Sequence, residues 1–436
     1  MADLLGMSEK IIDEGYDQAQ VGPINRINHQ LSEIANDLAM VEAFSHSIVF
    51  RTDEGLVVFD TSGAQGGTRV VDAIRGWSKD PFKTLVYTHG HIDHVGGCGA
   101  FLADAEANGN PRPTVAGHEN VAARFDRYNL TNGYNLVINS RQFRGFTRRG
   151  YGIGGQEGRF LPSDSAKPDV TYRDSLSFSA GGLQFDLRHA RGETDDHTWA
   201  WIPDYKAICA GDFFIWNFPN AGNPQKVQRY PVEWAATMRN MAAMGAELFL
   251  PAHGLPIAGA DRIRTVLLDV GETLEKLVGE TLTLMNEGAR LNDIIHTVTV
   301  APEVLAKPYL RPLYDEPEFV IRNLWRLYGG WYDGNPANLK PAPDAALGAE
   351  LAELAGGAMV LANRAQALCQ AGDLRLACHL AELAALAAPE DQGVHTIRAE
   401  VFQTRRDHET SLMAKGIFGH TAGESLHKAG LDDPHG

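Results

Sequence analysis

The sequence predicts a layered α/β domain followed by an all-helical domain, and three observations carry that reading. From about residue 41 to 262, short β-rich runs alternate with helical stretches and glycine punctuation, the pattern of sheets covered by helices. Beyond Asp261, apolar residues recur at helical spacing, as in RIRTVLLDVGETLEKLVGETLTLMNEG, and β-rich runs become rare. The length, 436 residues with 44% hydrophobic content, suits two domains better than one. The expected organisation is an N-terminal extension (1–40), an α/β domain (41–262), a helical domain (263–415) and a polar, frayed tail (416–436).

Within the α/β domain, HSIVF (46–50), LVVFD (56–60), TLVY (84–87), LQFDLR (183–188), TWAWI (198–202), KAICA (206–210) and ELFL (247–250) read as strands. Asp-Glu-Gly between the first two supplies turn chemistry, so these strands should form a hairpin. In the helical region an aromatic, glycine-rich stretch, RNLWRLYGGWYDGNPANL (322–339), interrupts the pattern. Alanine at three- and four-residue spacing then permits close helix packing, and Gly372-Asp373 reads as a turn between antiparallel helices.

Composition excludes several classes of function. Lysine and arginine total 39 against 55 acidic residues, and a net charge of -16 repels a phosphate backbone, so nucleic acid is not an expected partner. The sequence shows neither a basic, apolar leader nor an uninterrupted apolar run long enough to span a bilayer, and a cytoplasmic location is the expectation. Cys98, Cys209, Cys369 and Cys378 are scattered without CxxC pairing, which fits buried thiols in a reducing compartment.

The chemistry concentrates in THGHIDHVGG (88–97), directly after the apolar run TLVY. His89 and His91 alternate on an extended segment and can face one metal, while Asp93 and His94 come from the tightening turn and can reach a second. Imidazole nitrogen and carboxylate oxygen suit zinc, with manganese or a mixed pair compatible, so the cofactor expected is two divalent ions, zinc first. No G-x-S-x-G elbow, P-loop or dinucleotide fingerprint competes with this site.

HGHIDH resembles the HxHxDH motif of the metallo-β-lactamase superfamily, which implies an αββα sandwich. FSHSIVFRTDEGLVVFDTSG is similar to the opening hairpin of that superfamily; it ends at Asp60, to which the resemblance gives the role of orienting the ligand loop. A plain strand-end turn carboxylate is the competing role for Asp60. ARGETDDHTWAWIP resembles the segment that supplies the third histidine of the first metal, yet that position is Glu193, with His197 as the competing ligand. ICAGDFF places Asp212 where the superfamily has its bridging carboxylate, and LFLPAHG places His253 where the last histidine of the second metal belongs. The implied arrangement is His89, His91 and Glu193 on one ion, Asp93, His94 and His253 on the other, and Asp212 between, with Asp93 and Asp212 as the catalytic carboxylates.

RLYGGWYDGNPANL followed by a helical LAxLAGG-type segment is similar to the dimerisation domain of class III alkylsulfatases, which also place glutamate at the third-histidine position. That resemblance implies hydrolysis of alkyl sulfate esters by an activated water, a substrate with an apolar portion, and a homodimer held by the helical domain. Three features depart from it. The bridging position is Asp212 in a Gly-Asp motif rather than glutamate followed by asparagine; the histidine-rich lead-in is absent from NFPNAGNPQKVQRYPVEWA; and the sequence shows no counterpart of a sterol-carrier-like third domain. Hydrolysis of a phosphodiester, lactone or thioester is the alternative, and a non-catalytic metal-binding interaction protein is the third reading. For an anionic ester the candidate substrate-binding residues are Lys226, Arg229 and Arg141, Arg144, Arg148 and Arg149 of the glycine-rich loop, with Trp216, Phe218, Trp331 and Tyr332 as candidate walls of an apolar channel.

Overall fold

A computed structural model describes residues 2–143 and 158–432; Arg144, Arg148 and Arg149 lie outside the described residues. The described residues pack into two units, one drawn from 1–135, 153–288 and 293–328 and the other from 136–152, 289–292 and 329–436.

The first unit contains two sheets. A seven-stranded sheet runs in chain order through Leu31–Ala35, Leu38–Val41, Ser47–Thr52, Gly55–Phe59, Phe82–Val86, Thr114–His118 and Val170–Tyr172. Its first four strands are antiparallel neighbours, and from Gly55–Phe59 onward the pairing is parallel. The second sheet orders Ile257–Ala258, Leu248–Pro251, Ala207–Gly211, Thr198–Ile202, Leu183–His189 and Ser175–Ala180, with one parallel pair, Ala207–Gly211 against Leu248–Pro251. All seven strands expected from sequence are present. Thr52 pairs with Gly55, so the expected hairpin turns on Asp53 and Glu54 alone; Gly55 sits at φ 119°, where a Cβ would lie 2.5 Å from the Pro81 carbonyl.

The sheets meet through aromatic side chains: Phe50 stands edge-on to Phe59 at 5.9 Å and to Phe185 of the other sheet at 5.4 Å. Buried strands explain the unbroken apolar runs read from the sequence, because Gly55–Phe59 and Ala207–Gly211 are buried at every position. The helices Gly67–Trp77 and Cys98–Ala107 pack together over one sheet, and Pro231–Ala242 packs with the 27-residue helix Ala260–Asn286.

Three organisational expectations need correction. Residues 1–40 are not an appendage, since Leu31–Ala35 and Leu38–Val41 are the first two strands of the larger sheet; the former buries only Ser32, so its alternation is too weak to read. The first unit also continues past 262. The change to helical periodicity there marks the end of the sheets, while Ala260–Asn286 buries Ile263, Val266, Leu267, Val270, Leu274 and Leu277 within that unit. Finally, the supposed frayed tail contains the helix Leu412–Ala429, whose Met413, Ala414 and Ala422 are buried and whose Phe418 ring lies 6.0 Å from Phe402. Its small residues bury little area each and so leave a weak sequence signal, although they allow close helix approach.

In the second unit, Asp344–Ala355, Ala358–Gln370, Leu374–Ala387, Gln392–His408 and Leu412–Ala429 surround an alanine-rich core that includes Ala362, Ala365, Ala377, Ala381, Ala384 and Val401. Gly372 takes a left-handed φ of 86° and the Asp373 carboxylate caps Leu376 N–H, which makes the expected helical turn. Among the described residues, no single helix is long and apolar enough to cross a membrane.

Candidate metal centre

Parallel strands deliver their C-terminal ends to one edge, and a set of metal-ligand-type residues follows them there. Asp60 follows Gly55–Phe59, the 88–94 segment follows Phe82–Val86, Asp212 follows Ala207–Gly211, and His253 follows Leu248–Pro251. Glu193 comes from the loop joining Leu183–His189 to Thr198–Ile202.

Seven side chains gather at this edge in two groups. His89, His91, Glu193 and Asp212 can each turn one ligand-type atom into a cluster no wider than 4.8 Å, and Asp93, His94 and His253 form another of the same size. Asp212 reaches both: Oδ1 lies 3.3 Å from His94 Nε2 and 3.4 Å from His253 Nε2, while Oδ2 lies 3.9 Å from His89 Nε2. Asp93 Oδ2 stands 3.4 Å from His253 Nε2 and 3.5 Å from His94 Nε2. Glu193 faces His89 at 3.7 Å and His91 at 3.6 Å.

The donor set fits a divalent ion on a structural criterion. His94 Nε2, Glu193 Oε2 and Asp212 Oδ1 are buried with no hydrogen-bond partner, and all three aim into the clusters. Buried polar atoms are normally paired, so three orphans converging on one place mark where a cation belongs. Without an ion the histidines of the two clusters titrate differently: His89 and His91 are held neutral, whereas the carboxylates around His94 and His253 keep a proton there that a cation would have to displace. Burial, helped by neighbouring imidazoles and guanidinium groups, holds His89 and His91 well below the ordinary histidine value, leaving them neutral and able to donate lone pairs. Burial opposes the charge on His253, but Asp212 and Asp93 outweigh it and raise the group to about 10. Burial likewise works against Asp212, yet His94 and His253 keep it well below the usual carboxylate range.

Asp60 lies behind the cluster as a hydrogen-bond acceptor. Its Oδ1 accepts Thr88 N–H at 2.8 Å, and its Oδ2 accepts Thr88 Oγ1 at 2.8 Å and His94 Nδ1 at 2.7 Å. This fixes the proton of His94 on Nδ1 and turns Nε2 toward the cluster. His197 falls outside the ligand set, because its Nε2 accepts Asp212 N–H at 3.1 Å and its ring stacks on Phe213 at 4.2 Å.

Several residues that shape the site escape a sequence reading. Asp196 Oδ2 accepts Gly90 N–H at 3.0 Å, between the first two histidines, and Arg124 Nε meets the same oxygen at 2.9 Å. Burial opposes that carboxylate, but Arg124 holds it down at about 2. Gly90 has no room for a side chain, since a Cβ would lie 2.9 Å from both Arg124 Cδ and Asp196 Oδ2. Asn220 Nδ2 hydrogen-bonds Glu193 Oε1. Asp315 accepts Gly222 N–H at 2.6 Å and Asn223 N–H at 3.1 Å, pinning the loop that carries Asn220. Tyr314 also lies near, its hydroxyl pushed well up by burial and by the charges of Glu193 and Asp93. Gly90 within the histidine motif and the Asp195-Asp196 pair beside Glu193 were the available signals; Arg124, Asn220, Tyr314 and Asp315 lie in segments with no motif.

Of the candidate substrate residues, Lys226 is half-buried near Phe160, 5.7 Å from the ring centroid, and burial followed by the Arg229 charge lowers it to about 7. Arg229 is not open to a substrate: it is 1% exposed, and its guanidinium contacts Glu193. Trp216 is not a channel wall either. It is 1% exposed, donates Nε1–H to the Leu255 carbonyl at 2.7 Å, and lies under Gly254, where a Cβ would be 2.3 Å from its ring. Phe218 is fully buried. Arg141, Trp331 and Tyr332 belong to the second unit, so the centre as described is built without them. The exposed aromatic beside the metal-ligand type residues is Phe44, which stands edge-on to His253 at 5.4 Å and is 40% exposed.

Residues 41–253 match the family model of the metallo-beta-lactamase superfamily, and residues 290–428 match that of alkyl sulfatase dimerisation. Residues 41–253 thus form a metallo-β-lactamase superfamily domain. The chain is 27% identical over 364 residues to a linear primary-alkylsulfatase of Pseudomonas sp., covering 80% of this chain and 68% of that one. It is 24% identical over 404 residues to an (R)-specific secondary-alkylsulfatase of Pseudomonas sp., covering 89% and 61%. The solved structure of the stereoselective inverting sec-alkylsulfatase Pisa1 from Pseudomonas sp. shares its fold, with a TM-score of 0.80 at 24% identity over 92% of this chain and 66% of that one. The chain therefore spans about two thirds of the length of these relatives.

Proposed function

We propose that this protein is a binuclear metal-dependent hydrolase of alkyl sulfate esters. The observation that carries the metal part is the pair of ligand clusters sharing Asp212, with three orphaned buried atoms aimed into them. Relatives named as alkylsulfatases, together with a helical region matching alkyl sulfatase dimerisation, support the substrate class and a homodimer.

His89, His91 and Glu193 would hold one ion, Asp93, His94 and His253 the other, and Asp212 both; zinc is the favoured metal, with manganese compatible. When bound, two such ions supply an acidified water nucleophile and a Lewis acid for the ester oxygen. The chain's own contribution is orientation and charge. Asp60 fixes the tautomer of His94, and Asp196 with Arg124 fixes the backbone between His89 and His91. Counted together, the three carboxylates, the Arg229 guanidinium that pairs with Glu193 and two divalent cations would leave a net positive charge, to which Lys226 adds a titrating one. A monoanionic ester suits that surplus better than a neutral lactone does. Phe44 offers an apolar surface for the alcohol portion.

The test is inorganic sulfate release by zinc-loaded protein from primary and secondary alkyl sulfates, with Asp212→Ala as control. Asp212-dependent release is expected. No release from protein holding two ions would refute the substrate class and direct the search to phosphodiesters, lactones and thioesters.

A further inference from the structure

We propose that Arg229 is a positioning residue for Glu193, and that the two act as a charge-compensated unit standing where a neutral ligand would otherwise serve. This rests on the reading that Glu193 holds a metal ion. Arg229 grips Glu193 at two points: Nη1 hydrogen-bonds the Glu193 backbone carbonyl, and Nη2 lies 3.4 Å from Oε1. Asn220 donates to that same Oε1 from the other side. One carboxylate oxygen is thereby held by the protein, while Oε2 remains buried without a hydrogen-bond partner.

The arginine is itself fixed. Asn323, on the helix Pro317–Gly329, accepts Arg229 N–H at 3.1 Å and donates to the Arg229 carbonyl at 3.0 Å. Next to it, Tyr230 N–H donates to the Gly192 carbonyl at 2.9 Å, which stitches 229–230 along 192–193. Gly192 has no room for a side chain, because a Cβ there would lie 2.5 Å from the Phe213 ring. With Arg229 and Glu193 only 1% and 2% exposed, solvent screens neither charge.

Two consequences follow from that geometry. A buried guanidinium needs a counter-charge, so removing the carboxylate leaves Arg229 unpaired as well as removing a ligand. The compensated pair carries no net charge, as a neutral imidazole would carry none. Histidine at 193 is therefore compatible with this site only when residue 229 is also uncharged.

The experiment measures metal content of purified protein by mass spectrometry, competitive Co2+ titration and the visible spectrum of the Co2+-loaded protein, for wild type, Glu193→Ala, Glu193→His, Arg229→Met, Arg229→Lys and Glu193→His/Arg229→Met. Arg229→Met is expected to weaken one of the two ions by about 10- to 100-fold and alter its d–d bands, as loss of a ligand's hydrogen-bonding partner typically does. Arg229→Lys should rescue part of this, because a single ammonium restores charge but not the two-point grip. Glu193→His should bind no better than Glu193→Ala, and adding Arg229→Met to it should recover affinity by at least tenfold, a coupling that a general loss of folding cannot produce. Wild-type affinity in Glu193→His alone, or no recovery in the double variant, would overturn the proposal; that comparison decides even where Arg229→Met is poorly soluble. Wild-type metal content in Glu193→Ala would instead overturn the ligand assignment. Both results are independent of whether sulfate is released.

Discussion

Replacing Asp60 by asparagine isolates the contribution of one buried carboxylate to the metal centre. The side chain keeps its shape, and asparagine tolerates the left-handed φ of 59° as aspartate does, so backbone strain is unchanged. What changes is the donor–acceptor balance, because three donors converge on two carboxylate oxygens: Thr88 N–H, Thr88 Oγ1 and His94 Nδ1. An amide offers one acceptor oxygen and presents N–H donors where the other stood. The threonine hydroxyl can rotate to accept. His94 then either keeps a buried Nδ1 proton with a weaker partner, or moves it to Nε2 and loses the lone pair aimed at the cluster. Ser45 Oγ, 3.0 Å from Nδ1, is a neutral substitute acceptor and favours the lower end of the cost. The expected outcome is a 10- to 100-fold loss of affinity for the second ion, about 1.4–2.7 kcal/mol, with a further ~1–3 kcal/mol of destabilisation in the metal-free protein. Competition with a chromophoric chelator measures the first, and denaturant unfolding of the chelated protein the second. Wild-type affinity for both ions in Asp60→Asn would refute the argument that this carboxylate sets the tautomer of His94.

Chelation should lower the thermal midpoint reversibly, by the equivalent of about 2.7 kcal/mol at an ion concentration 100 times its dissociation constant; an unchanged midpoint would mean that the clusters bind no ion. Lys226 is charged below about 7 and neutral above it, so KM for an alkyl sulfate should rise between pH 6 and 8 in wild type and stay flatter in Lys226→Met. Identical pH profiles would remove Lys226 from substrate binding. Trp216→Ala should cost about 3–5 kcal/mol and reduce metal content through the displaced 253–255 turn, whereas a selective KM effect at full stability would restore a channel-lining role. Light scattering should give twice the chain mass at micromolar concentration, and a monomer would count against a dimer built on the helical unit.

What the sequence revealed was local density, and what it concealed was long-range pairing. His89, His91, Asp93 and His94 lie within six residues, and Asp60, Asp212 and His253 each close a readable strand, so their convergence followed from chain order. Arg124 and Asp196 are 72 residues apart and Arg229 and Asn323 are 94 apart; neither pair occupies a motif. Arg229 looked available to an anion because a lone basic residue after the bridging aspartate carries no sign of its buried partner. Trp216 looked like a channel wall for a similar reason: aromatic character is visible in the sequence, but the Gly254 backbone that covers it is not. The strand Leu31–Ala35 and the helix Leu412–Ala429 were obscured by polar and small residues, whose packing depends on neighbours more than on their own apolar area.

Asn323 and Asp315 give the centre a dependence that its ligand set does not disclose. Every ligand-type residue lies before position 254, so a chain cut after residue 262 would retain the whole set. Such a fragment would lack the amide that clasps the Arg229 backbone and the carboxylate that pins the 222–223 turn. Recombination that swapped helical partners at that point would transmit the motif without the means to hold Glu193 in register. Exchanges that carry residues up to 328 would keep both anchors, so the viable seam for shuffling lies about 75 residues downstream of His253.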